Sequence, residues 1–185
     1  EKKSKNNKNH HQYATWAQGQ LPRALLGIGD VLMFLNQQAD AADAYSRALP
    51  YREEDVKQLL HQKDKLAELL CARRRLTEVN VLISEALLSC PEGQDVVTTE
   101  TEDVLVKASD RVDYARGYYD KARDDLQETV LLLGRLASAG VDVGDEKEDI
   151  CHLATLLMGI GNTLADLGDD ETNNSTQPKK KAKTK

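Results

Sequence analysis

Apolar and small residues recur at helical spacing along most of this chain, and short polar or Gly/Pro breaks interrupt them. The pattern predicts helices over 14–20, 22–35, 39–50, 53–75, 79–89, 102–118, 119–138 and 146–167. Pro22 suits a first helical turn, Asn36 and the glutamines after it mark a turn, and Pro91-Glu92-Gly93 ends a helix. No segment is assigned to a strand, so the expected fold class is all-α.

Two segments share a 34-residue frame. In 22–55, Leu25, Ile28, Gly29, Leu32, Ala41, Tyr45 and Ala48 stand at positions 4, 7, 8, 11, 20, 24 and 27. In 60–93, Leu66, Ala67, Leu70, Ile83, Ala86 and Pro91 stand at positions 7, 8, 11, 24, 27 and 32, with Val79 at position 20. These are tetratricopeptide (TPR) positions, where small residues let two antiparallel helices approach closely. The expected architecture is therefore a TPR-like helical stack, an α-solenoid. A third unit fits 103–136 through Gly117, Tyr119, Ala122 and Leu126, but Ser109, Asp110 and Asp113 occupy its first interface positions. One long charged helix is the alternative there. Leu157, Ile160, Gly161, Leu164 and Gly168 match a first repeat helix without its partner and read as a C-terminal cap.

Charge divides the chain. Residues 1–12 carry a net +3, 13–90 a net −1, 91–171 a net −13 and 172–185 a net +5. The expected organisation is a disordered basic arm (1–12), a helical domain (13–168) and a disordered lysine-rich tail (169–185). The tail ends in Pro-Lys-Lys-Lys-Ala-Lys-Thr-Lys, and Lys179, Lys180, Lys181 and Lys183 match a nuclear import signal. No apolar run is expected to reach the length of a bilayer span, and the chain reads as soluble and intracellular. Cys71, Cys90 and Cys151 are odd in number and widely spaced, so they are expected to be buried free thiols.

No constellation for chemistry emerges. His10 and His11 lie in the basic arm, while His61 and His152 are isolated. Gly27-Ile28-Gly29 and Gly159-Ile160-Gly161 fall inside helices and follow no strand, so they are packing glycines rather than phosphate cradles. The acids of 142–149 miss the order of a calcium loop. No enzyme activity, cofactor or metal is expected. Acidic balance disfavours nucleic acid as a direct partner and favours basic proteins.

The frame also places the concave face. It is lined by Arg23, Leu26, Asp30, Met33 and Phe34 in the first unit and by His61, Asp64, Glu68, Cys71 and Ala72 in the second. A carboxylate clamp for chaperone tails needs Lys and Asn where this chain has Leu26 with Asp30 and Asp64 with Glu68, so that use is disfavoured. Candidate partner-binding residues are Asp30, Met33, Phe34, Asp64 and Glu68, joined by Glu92, Asp95, Glu100, Glu102 and Asp103.

The runs Leu26-Gly27-Ile28-Gly29-Asp30-Val31, Ala41-Ala42-Asp43-Ala44-Tyr45-Ser46-Arg47-Ala48-Leu49 and Lys65-Leu66-Ala67-Glu68-Leu69-Leu70 resemble the interrupted-TPR histone chaperones of the nuclear autoantigenic sperm protein (NASP) type. The likeness covers roughly 22–136 and the lysine-rich tail, although the family's other repeats and acidic insertion are not visible. It implies escort of core histones, the H3–H4 pair, for storage, transport and chromatin assembly. It further implies a nuclear protein with cytoplasmic shuttling that contacts other histone-deposition proteins. A homodimer is possible on this reading. The competing reading is a general TPR adaptor or co-chaperone scaffold.

Overall fold

The computed structural model describes residues 19–175. Within them lie five helices and one antiparallel hairpin: α1 (19–34), α2 (Gln38–Leu59), α3 (Leu66–Ser89), β1 (Val96–Thr99), β2 (Asp103–Val106), α4 (Arg111–Ser138) and α5 (Gly144–Ser175). The protein is mostly helical, as expected. The hairpin corrects the expectation of no strand, and α2 and α3 correct two helix boundaries.

Pro50 lies inside α2, where the sequence suggested a stop. Its ring removes one backbone hydrogen bond. Tyr45, Leu49, Arg52 and Val56 nevertheless form one buried stripe at helical spacing on both sides of it, and that burial carries the helix through. The real break is the connector 60–65, where His61-Gln62-Lys63-Asp64-Lys65 supplies no apolar side chain to bury. From Leu66 the chain runs unbroken to Ser89, because Leu69, Ala72, Leu76, Val79, Ile83, Ala86 and Leu87 keep one face buried throughout. Segment 60–93 is thus not a helical pair. Leu66 and Ala67, expected at a helix interface, are exposed, as is Ile28 on α1.

The segment 103–136 likewise divides differently. Asp103–Val106 is a strand, and from Arg111 onward a single helix packs by the narrow stripe Ala115, Tyr118, Ala122, Thr129, Leu132 and Leu136. The β-branched run Val96-Val97-Thr98-Thr99, and Val104 and Val106 on either side of Leu105, are the physical reason for the hairpin. They pair in the register Val96↔Val106, Val97↔Leu105 and Thr98↔Val104. Val96, Thr98 and Val106 face inward, while Val97 and Leu105 face out.

Helix α2 packs on α3, α3 on α4, and α5 lies on both α3 and α4; β1 rests against α2. The main core gathers Tyr45, Leu49, Leu70, Val79, Ile83 and Leu87 with Val96 and Val106 of the hairpin. A second cluster joins Val81 and Ala122 to Leu153, Leu157, Ile160 and Leu164 of α5. Ion pairs add to this contact: Arg74 reaches Glu146 at 2.6 Å and Asp149 at 3.1 Å. Burial alone would lower the Arg74 pKa, but Glu146 and Asp149 outweigh it and the net shift is upward.

Helix α5 departs from expectation in two ways. It continues to Ser175, past the boundary placed at 168. Its stretch Gly144–Leu167 is also long and apolar enough to cross a membrane by length and composition, contrary to the sequence reading. In this fold its apolar stripe lies on α3 and α4. Among the cysteines, Cys90 is buried and Cys71 half-buried, but Cys151 is exposed. The basic arm and Lys179, Lys180, Lys181 and Lys183 lie outside the described residues.

Candidate functional site

The hairpin is held at three points. At its base, the Arg111 guanidinium donates to the carbonyls of Pro91 (2.8 Å) and Gln94 (3.0 Å), and Asp95 Oδ1 accepts from the Ala108 amide at 2.8 Å. On one side, the Thr99 amide donates to Oγ of the fully buried Ser46 at 2.8 Å. At the tip, the Tyr118 hydroxyl donates to Glu100 Oε1 at 2.6 Å. Burial and the Glu100 carboxylate push the Tyr118 phenol well above its ordinary pKa. These anchors hold the Glu100-Thr101-Glu102 turn against α4.

Each flank of the hairpin carries an acidic recess. Toward α2, a recess of about 490 Å³ is lined by Asp40, Asp43, Asp95 and Asp103, with Arg47, Val97 and Thr99. Asp43 pairs with Arg47 at 3.7 Å, and one Asp43 oxygen is buried without a hydrogen-bond partner. Toward α4, a recess of about 390 Å³ is lined by Glu100, Asp113, Tyr114, Gly117, Tyr118 and Lys121. A smaller one of about 260 Å³ beside it adds Glu102 and Val104. Exposed Val97 lines the first recess and exposed Val104 the smallest, while Leu105 is exposed beside Val97, so the surface offers apolar contact together with negative charge.

Of the candidate residues, Asp95, Glu100, Glu102 and Asp103 are therefore gathered on one structural element, and Glu92 precedes it on the exposed connector. The groove set fares differently. Asp30 accepts the Tyr45 hydroxyl at 2.9 Å; burial, and then this bond and the Asp30 charge, raise the Tyr45 pKa strongly. Met33 is half-buried against the core, and Phe34 is 86% exposed. Asp64 sits in the 60–65 connector rather than on a helix, and Glu68 pairs with Lys65 at 3.7 Å in the first turn of α3. Their grouping assumed a first helix that begins near 60.

Sequence reading missed Asp40, Asp43, Asp113, Tyr114 and Tyr118. Asp40 and Asp43 lie in the opening turns of α2, and only a correctly placed hairpin brings them opposite Asp95 and Asp103. The alternating β-branched residues of 96–106 were the available signal. No side-chain group suited to a metal ion occurs among the described residues. No family model, curated protein or solved structure matches this chain.

Proposed function

We propose that this chain is a binding protein that holds a basic protein partner on the acidic face around the β1–β2 hairpin, and that the partner is a core histone, in the manner of NASP-type chaperones. The observation that carries the reading is the pair of carboxylate-lined recesses flanking a hairpin with an exposed apolar edge. Long-range attraction steers a basic partner, and apolar contact holds it. On this reading the helices form a TPR-like stack in which α1–α2 is one pair and α3–α4 the next, the hairpin being inserted between the members of the second pair. The lysines 179–183 direct the protein to the nucleus, from which it shuttles, and other deposition proteins receive the histone.

The test is affinity for purified core histones at two salt concentrations, for the wild type and for a variant carrying Asp40→Lys, Glu102→Lys and Asp103→Lys. All three residues are exposed, but Asp103 accepts from Thr99 Oγ1 at 2.9 Å and Asp40 lies in the first turn of α2, so an unchanged melting temperature is required of the variant before its affinity is compared. The expected loss is about tenfold or more, shrinking as salt rises. Equal affinities at low salt overturn the reading.

A second reading, a general adaptor, draws on α1. Leu21, Ile28, Val31 and Phe34 leave that helix with an exposed apolar face, and Leu35 just after it is exposed too. An adaptor that uses it binds with little dependence on salt.

A further inference from the structure

The recess between the hairpin tip and α4 has a composition that general acidity does not require. Two tyrosines form its wall: Tyr118 is almost buried, and Tyr114 is 40% exposed. Glu100, Asp113 and Gly117 also line it, and a Cβ on Gly117 would meet open space. The ammonium of Lys121 lies 5.0 Å from the centroid of the Tyr118 ring. That lysine occupies the Tyr118 face, held by the ring quadrupole, and the part-exposed Tyr114 ring is the aromatic surface left to an incoming cation.

Building on the basic-partner reading above, we infer that this recess is a socket for a single arginine side chain of the partner, stacked on Tyr114 and held by Glu100 and Asp113, with Lys121 as its intramolecular competitor. Arginine suits the site better than lysine because a planar guanidinium can stack on an aromatic face while its N–H groups reach carboxylates in the same plane. Glu100 uses one oxygen for the Tyr118 hydroxyl and has a second for such a donor. The recess of about 390 Å³ is open to solvent and has room for one side chain. The socket therefore selects a point on the partner, while the wider acidic face supplies attraction.

The probe is N-acetyl-arginine methylamide, titrated into the full chain and followed by amide chemical shifts, with the lysine analogue as comparison. The expected result is saturable shifts confined to 100–102 and 113–121, weaker with the lysine analogue. Tyr114→Ala abolishes them, and Lys121→Met tightens binding about threefold by removing the competing cation. Tyr114 is sufficiently exposed for that variant to fold, which its melting temperature verifies. Shifts that spread over the acidic surface without saturating, or that persist in Tyr114→Ala, overturn the socket. Histone affinity separates the two proposals. If the triple lysine variant loses histone and Tyr114→Ala retains full affinity, the partner's arginine does not use the socket and the inference falls while the acidic-face reading stands. If the triple variant binds as wild type while the arginine probe saturates only with Tyr114 present, the acidic-face reading falls and the socket stands as a site for arginine.

Discussion

Two glycines in the same helix, α1, meet opposite surroundings, and that contrast fixes what each contributes. A methyl on Gly29 would run into the Tyr45 ring, whereas a Cβ on Gly27 meets nothing within 4 Å. Gly29→Ala is expected to destabilise the protein by about 1–3 kcal/mol, because the buried Tyr45 ring must move. Gly27→Ala should stabilise it by about 0.5–1 kcal/mol through helix propensity. Chemical denaturation of the two variants checks both signs. Tyr45 and Tyr118 carry a pH signature as well. Both phenols have pKa values raised in the fold, so the folded state keeps protons that the unfolded state releases. Their contribution is fully present below the unfolded value of about 10 and is lost as pH rises beyond it. Denaturation midpoints measured from neutral pH to about pH 11 should fall at the alkaline end. The fall should be smaller in Tyr45→Phe. Residue-level packing was the part most legible from sequence: Gly29, Ala41, Tyr45, Ala48, Leu70, Ile83 and Ala86 are buried as expected, although Leu66 is not and α3 buries its residues as one helix rather than as a pair.

At the scale of elements, legibility ended where local signals competed with a fixed repeat length. The 34-residue frame demanded a helix break near 76–78, but Leu76, Val79 and Ile83 continue one buried stripe and α3 has no reason to stop. The same frame hid the strands, since a four-residue β-branched run is too short to stand out against flanking helices. The acidic site depends on that hairpin, so only its 92–103 acids were visible beforehand, and the α2 and α4 side chains opposite them were not. Helix α5 offers a test of how the elements are joined. Arg74 of α3 contacts Glu146 and Asp149 of α5, and it also reaches Glu78 in its own helix at 3.9 Å. Arg74→Met should lower stability by about 1–2 kcal/mol, since the ion pairs are partly solvated while the hydrogen bond to Glu146 is charge-assisted. Thermal melts at low and high salt check this, and the difference between wild type and variant should narrow in high salt.

For the whole molecule, the distribution of charge matters more than the sum of −6. The net −13 of residues 91–171 covers the hairpin, α4 and most of α5, whereas the half before it is nearly neutral. A chain shortened after Gln177 should bind core histones as the full chain does in vitro and shift toward the cytoplasm in cells, if its lysines serve import. Unchanged location with tighter histone binding would instead show that they screen the acidic half. The way the hairpin is fastened has one more consequence. Strands of four residues are marginal in isolation, so this pair keeps its shape only while α2, α4 and the Arg111 latch hold it. Amide hydrogen exchange makes that dependence readable at one position. The Thr99 N–H, locked onto the Ser46 hydroxyl, exchanges only when the hairpin lifts from α2, so its exchange rate is a clock for that opening, slowed by any partner that clamps the hairpin down.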